Sequence, residues 1–537
     1  MRKIGLPFAC ALLLAGPFCF APVADSDTGW HVAVGRLVLE GKLPHTNALS
    51  WAFGSHPWYA TSWLYDAALA GLVRALPQAL GAQLLTFVLL AVAILGLAFA
   101  CAREGTAWVV PAIAVLLLPR LVPRPHVASW AVLAAVLALA PRSTKMRAAC
   151  IALVALGGNL HAGAAFAACI LGLEALEAFW RTRRRVELAI AAGAGLALLA
   201  NPGMLFDAGY LLEHLLRVND VVQLQEFEPP SFAAMPAFFL LLPATLLIVV
   251  RRRRERPALL AAAVIFAALG LRALRMVSEA EMVWAPALAW GLSRLGMRAA
   301  VPAGIAAAVL AFVSLRLDPR RLQPSPAWDA RLLPVRAARF LDEHGVAGAG
   351  FNAFRDGGYL EMARPGVPAF IDGRVQAVPP EALRELQEAE QSPEAFRRYL
   401  ARLGCEWAIT TRVRERMGGF RRLYDSNWAL VYWDDTSEVF VRRDVARFAA
   451  LREQFEYRYF HPWGHIVEPL SRAELSFLLS EVQRFERTSP ADPFARVVHC
   501  AALRRLGAPE ATSACQLRVP PDLVPLLARA RSYQAVP

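Results

Sequence analysis

The chain is 537 residues long, 57% hydrophobic and only 19% charged, with a mean hydropathy of +0.39. These values argue against a large soluble enzyme and point to a membrane protein with room for a separate soluble domain. The formal net charge of +13 would suit nucleic acid, but the basic residues cluster in short runs between apolar stretches, as in positive-inside topology, and no basic-aromatic RNA module is present. No nucleic-acid partner is expected.

Apolar runs fall at about 4–24, 81–101, 105–119, 126–140, 148–160, 162–179, 187–201, 234–250, 257–271, 281–293 and 299–316. Some are shorter than the roughly 20 residues of a perpendicular span, and we count about eleven spans. Positive charge marks alternate connections: Arg2-Lys3, Arg103, Arg142/Lys145/Arg147, Arg181 to Arg185, Arg251 to Arg254 and Arg294/Arg298. That places the N-terminus in the cytoplasm, loop 25–80 outside, and everything after about residue 318 outside as well. The first run also reads as a signal peptide, although Pro22-Val23-Ala24 makes a poor cleavage site. Cys500 and Cys515 can pair if their region is extracytoplasmic, leaving Cys405 unpaired.

Asp25-Ser26-Asp27 follows the first run directly. Carboxylates at the mouth of a membrane helix are costly and usually kept for a purpose. Trp30, Val34, Leu37 and Val38 share a helical face and Gly41 is a stop, so a short helix along the membrane surface is expected over Thr28 to Gly41. Ser26 or Asp27 would cap it. Two aspartates two residues apart cannot both cap, which leaves one free. A free carboxylate there suits a general base for an acceptor hydroxyl. If the leaving group is a phosphate, cations can hold its charge. Arg36 and Lys42 in this loop, and Arg120, Arg124, Arg272 and Arg275 at the outer ends of later spans, are candidates; snorkelling to lipid headgroups is the alternative use. Trp58, Trp63 and Tyr65 form an aromatic set, suited to an interfacial belt or to stacking on sugars.

The order Asp-Ser-Asp, Trp30-His31, Gly35, Pro44, Ser50, Pro57-Trp58 and Trp63-Leu64 after a single N-terminal span resembles the first external loop of bacterial multi-span glycosyltransferases with the GT-C fold. That group includes protein O-mannosyltransferases, aminoarabinose transferases and uncharacterised members with a C-terminal soluble domain. Arg124-Pro125, Asn159-Leu160-His161, Asn201-Pro202-Gly203, Glu226-Phe227-Glu228-Pro229-Pro230, Arg272 and Arg275 look like the same relatives, in the same order. The resemblance implies a sugar donor on polyprenyl phosphate or a related lipid, an outward-facing site, and Asp25 or Asp27 as base. Many members have adjacent acidic residues; here a serine intervenes. His161 can orient an acceptor, ligate a divalent metal, or serve as a structural histidine. Glu226 and Glu228, in the long external loop 202–233, can face the same cavity or simply be solvated.

From about 318 the pattern changes to a linker with Pro319, Pro324 and Pro326, then short strand-like runs at 348–351, 367–371, 406–410, 429–432 and 438–441, with one amphipathic helix over 380–403. Asp434 to Ser437 reads as the turn of an antiparallel hairpin. Gly357-Gly358 can open a helix and offer N–H groups to an anion, and Asp372-Gly373-Arg374 would end a buried strand where α/β sheets place ligands, or form a turn held by an Asp–Arg pair. No nucleotide fingerprint is present. Residues 444–537 read as helices with an aromatic break at Tyr457, Tyr459 and His461-Pro462-Trp463, suited to packing or a protein partner.

The expected fold is therefore a multi-span α-helical, GT-C-like membrane domain over 1–317, a periplasmic α/β domain over 318–443 and a helical region over 444–537, in a bacterial inner membrane. The expected activity is transfer of a sugar from a lipid-linked donor to an unknown acceptor, with membrane lipids as surroundings and no cofactor assigned beyond the divalent metal considered at His161. A non-catalytic protein of this fold that binds envelope glycans is the alternative. A transporter fits less well, since no broken helix pair with matching halves is evident.

Overall fold

The structure is a computed structural model describing residues 2–77, 79–203, 225–315, 321, 323–412, 423, 427–462, 464–465 and 470–536. Pro319, Trp463 and residues 204–224 of the long loop lie outside them. The chain forms two compact units, the first made of 1–47, 55–328 and 375–377, the second of 48–54, 329–374 and 378–537.

The first unit carries α1 (Arg2–Ala15), α2 (Asp27–Leu39), α3 (Trp63–Ala75), α4 (Leu80–Glu104), α5 (Val110–Leu116), α6 (His126–Leu139), α7 (Thr144–Leu160), α8 (Ala164–Thr182), α9 (Arg185–Leu196), α10 (Pro236–Arg251), α11 (Pro257–Arg272), α12 (Val277–Ser293) and α13 (Met297–Ser314). Helices occupy the expected apolar runs, yet α4 alone among the described helices is long and apolar enough by itself to cross a membrane. Proline accounts for some of the shortness: Pro111 and Pro257 sit where helices begin, because proline lacks the N–H needed further inside. The core centres on α4 and α6, whose Ile94, Leu97, Trp130 and Leu133 are buried.

Helix α2 begins and ends where expected, but its cap differs. Ser26 occupies the cap position without a side-chain cap bond, and Asp27 lies inside the first turn. Gly41, at φ 78°, donates to the Val38 carbonyl while Lys42 N–H reaches Leu37, closing the helix end. Residues 31–35 are buried without a gap, so α2 is covered on more than the one expected face. Its contact with α3 is close: a Cβ on Gly35 would lie 1.9 Å from the Asp66 carbonyl oxygen.

In the second unit β1 (Gly350–Asn352), β2 (Trp407–Thr411), β3 (Trp428–Trp433) and β4 (Ser437–Arg442) form a sheet in the order β1-β2-β4-β3. The β1/β2 pair is parallel and the others antiparallel. The parallel pair requires a crossover, supplied by α14 (Phe354–Ala363), α15 (Pro380–Ala389) and α16 (Pro393–Arg402). Two expectations change here. The helix expected over 380–403 is two helices, because Ser392 caps the second through Ala395 N–H at 3.1 Å and Pro393 starts it. The strand expected at 367–371 forms only one bridge, Ala369 to Ser50, since Asn352 takes its polar groups: its side chain accepts from Phe370 N–H at 2.7 Å and donates to the Ile371 carbonyl at 2.6 Å.

Residues 48–54 from the first loop complete this unit. Ser50 Oγ donates to the Phe370 carbonyl and Trp51 Nε1 to that of Gly350, at 2.7 and 2.9 Å. Further on, α17 (Arg472–Thr488) starts with a reciprocal Ser471/Glu474 capping box and packs on α18 (Pro493–Leu506). Cys500 and Cys515 form a disulfide, and Cys405 is buried without one.

Candidate active site

Asp25 and Asp27 meet one guanidinium. Arg124, two residues before α6, donates Nε–H to Asp25 at 2.7 Å and Nη2–H to the other Asp25 oxygen, while the same Nη2 lies 2.9 Å from Asp27. Thr28 Oγ lies 3.1 Å from both Asp25 and the Pro123 carbonyl, tying the start of α2 to the segment before α6. The spacing argument expects one free aspartate; instead both are paired, Asp25 with an arginine ninety-nine residues along the chain and Asp27 with the same side chain. The group remains open, with side-chain exposures of 12% for Asp25, 22% for Asp27 and 32% for Arg124.

Burial works to raise the Asp25 pKa, but the Arg124 charge and the bonds from Arg124 and Thr28 outweigh it, holding the carboxyl below its ordinary range. Burial in turn works against the charged Arg124, and the two aspartates more than compensate, raising its pKa. The result is an ionised carboxylate whose basicity is suppressed while Arg124 stays in place.

A second charged group lies at the ends of α6, α11 and α12. Arg120 donates to the Arg275 carbonyl and pairs with Glu279 at 3.3 Å, and Trp130 Nε1 donates to Glu279 at 3.0 Å. Arg275 pairs with Glu226 at 3.2 Å and stacks over Phe227. Glu226 also acts electrostatically on Arg124, so the two groups are neighbours. His161, the C-cap of α7, is held by Ser129 Oγ at 2.7 Å and Gly163 N–H at 3.1 Å. Burial, then the charges of Arg275 and Arg120, depress its pKa to about 3.

The other candidates lie elsewhere or serve the scaffold. Arg36 sits in the last turn of α2, away from Asp27. Arg272 is exposed at the end of α11. Trp58 is buried edge-on to Trp30. Glu228 is exposed, and its carbonyl accepts from Leu274 N–H. Asn159 accepts from Trp63 Nε1, and Asn201 donates to the carbonyls of Thr61 and Gly158. In the second unit Asp372 and Arg374 are 2% and 1% exposed. They bond each other, with Glu361 3.6 Å from Arg374. Gly357 lies inside a helix, where a Cβ would be 1.9 Å from the Ile371 carbonyl oxygen, so it serves packing rather than anion binding.

Sequence reasoning missed Thr28, Ser129, Glu279 and the buried His31–Asp66 pair, which is 2.6 Å apart. Glu279 and Glu281, both buried in α12, were detectable as carboxylates within an otherwise apolar helix. Among the described residues no group of three or more His, Cys, Asp or Glu side chains is placed to hold a metal ion.

No protein-family model and no curated protein matches the chain. Solved structures do. ArnT from Cupriavidus metallidurans bound to undecaprenyl phosphate aligns over 83% of this chain and 98% of its own, at TM-score 0.52 and 12% identity. Its apo state aligns over the same shares at TM-score 0.51 and 12% identity. The archaeal oligosaccharyltransferase AglB from Archaeoglobus fulgidus, in complex with an inhibitory peptide and a dolichol-phosphate, aligns over 76% of this chain and 69% of its own at TM-score 0.43 and 14% identity. Over most of its length the chain has the fold of ArnT, the GT-C fold.

Proposed function

We propose that the protein is an integral membrane glycosyltransferase that moves a sugar from a polyprenyl-phosphate-linked donor to an acceptor hydroxyl on the extracytoplasmic side. The observation that carries this reading is the partly open cluster in which Asp25 and Asp27 share Arg124. A donor phosphate competes with Asp25 for that guanidinium. Once Arg124 turns to the phosphate, Asp25 loses the partner that suppresses its basicity. Asp25 then takes the acceptor O–H proton as the acceptor oxygen attacks the sugar's anomeric carbon. The bond from that carbon to the phosphate oxygen breaks, and polyprenyl phosphate leaves with the electron pair, inverting the configuration. Asp27 keeps Arg124 within reach in both states.

Arg120 and Arg275 supply further positive charge, and Arg272 is an exposed cation available to headgroups. The GT-C fold and the apolar helices support a membrane location. The Cys500–Cys515 disulfide supports an oxidising, extracytoplasmic surrounding for the second unit. The engagement of both carboxylates by one arginine also suits a non-catalytic binder of lipid-linked glycan. The two readings part on Arg124→Gln in a transfer assay with a polyprenyl-phosphate sugar: the enzyme loses turnover, whereas a binder shows none with either chain.

A further inference from the structure

We propose that His161 acts as a neutral imidazole fixed in the Nε2–H form, donating a hydrogen bond to a phosphate oxygen of the lipid-linked donor. The tautomer follows from its neighbours. Gly163 N–H can only donate, and it points at Nδ1 from 3.1 Å, so Nδ1 carries the lone pair and the ring proton sits on Nε2. Ser129 Oγ, at 2.7 Å from Nδ1, then donates as well. The clamp is built closely: a Cβ on Gly163 would come within 2.6 Å of Ser129 Oγ and 2.8 Å of His161 Nδ1. Glycine is what lets the backbone donor reach the ring.

Three consequences follow. With Nδ1 engaged and Nε2 protonated, the ring offers no lone pair to a metal, so the donor role replaces the ligand role considered from sequence. Burial and the charges of Arg275 and Arg120 oppose a second proton on the ring. Arg120 is paired with Glu279 and Arg275 with Glu226, while His161 Nε2 has no hydrogen-bond partner among the described residues. Its N–H is therefore available to an incoming oxygen, beside cations that hold an anion nearby. A neutral donor does not change charge across the physiological range, so its contribution does not change with pH.

This assignment rests on the proposed function, and the test separates the two. Undecaprenyl phosphate binding to the full chain in nanodiscs is measured for wild type, His161→Phe, His161→Gln and Ser129→Ala between about pH 5.5 and 8. Loss of a donor to a charged oxygen weakens His161→Phe about tenfold or more, and His161→Gln, which keeps an N–H, recovers most of the loss. Wild-type affinity is expected to follow only the second ionisation of the phosphate monoester, with the same pH profile in His161→Gln, to be unaffected by a chelator, and to change little in Ser129→Ala, where Gly163 N–H still holds Nδ1. Unchanged affinity in a folded His161→Phe overturns the inference, as does binding that a chelator abolishes. Equal dependence on His161 for inorganic phosphate alone overturns the lipid assignment. Failure of the wild type to bind undecaprenyl phosphate overturns the proposed function itself.

Discussion

Two aspartate–arginine pairs in this chain share one chemistry and differ in surroundings. Asp372 and Arg374 stand two residues apart and are sealed in the second unit, both side chains at 2% exposure or less. Asp25 and Arg124 are ninety-nine residues apart and lie partly open, and their guanidinium also serves Asp27. A sealed pair can only hold its own structure. An open pair with a third partner can exchange one anion for another, which a site for phosphate requires.

The largest expected effect separates the pairs by function. Arg124→Gln should lower sugar transfer about a hundredfold or more, since the cation and its charge-assisted contacts vanish, while costing only about 1–2 kcal/mol of stability at this partly exposed position. Arg374→Gln should do the reverse, costing about 3–5 kcal/mol because it strands a buried carboxylate, and reducing activity only as the folded fraction falls. Thermal melts run beside turnover assays check both, and equal stability losses would dissolve the comparison.

Close packing gives the next largest effects. Gly35→Ala forces α2 away from the Asp66 carbonyl and should cost about 2–3 kcal/mol while also displacing the Asp25 end of α2. Reducing the Cys500–Cys515 bond, which closes a loop of separation 15, should cost about 3 kcal/mol in the second unit with no direct effect on transfer.

An effect of similar size, confined to one side of a titration, is a pH dependence at Asp356. Burial raises this carboxyl to about 6, against the bond from Thr411. The native state then holds the proton more tightly than the unfolded chain, so stability falls as pH rises from about 4 to 6 and stays lower above. Asp356→Asn should stabilise the protein by about 2–3 kcal/mol near pH 7.5 and hardly at all near pH 4. Chemical denaturation at the two pH values measures it, and stabilisation confined to pH 4 would reverse the sign.

The same contrast explains what the sequence could reveal. Local chemistry was legible: Gly41 as the α2 stop, the hairpin turn at Asp434, and the Asp372–Arg374 turn all depend on neighbours a few residues away. The GT-C resemblance was legible from the order of first-loop residues. Pairings that depend on the tertiary path were not. Nothing near Asp25 names Arg124 as its partner, and nothing near His161 shows that Ser129 and Gly163 will fix its tautomer. The break at Ser392-Pro393 was visible in the residues, but the amphipathic period ran through it. The 367–371 segment had strand composition, and the Asn352 side chain took the polar groups a neighbouring strand would have used.

The measurement that bears most directly on the account is the lipid-linked sugar and envelope glycan profile of cells carrying Asp25→Asn, Asp27→Asn or both, compared with wild type and a deletion strain. The account predicts that the double variant inserts at normal levels and matches the deletion. A double variant that inserts normally and leaves every pool at its wild-type level, while the deletion alters them, would contradict catalysis at this site.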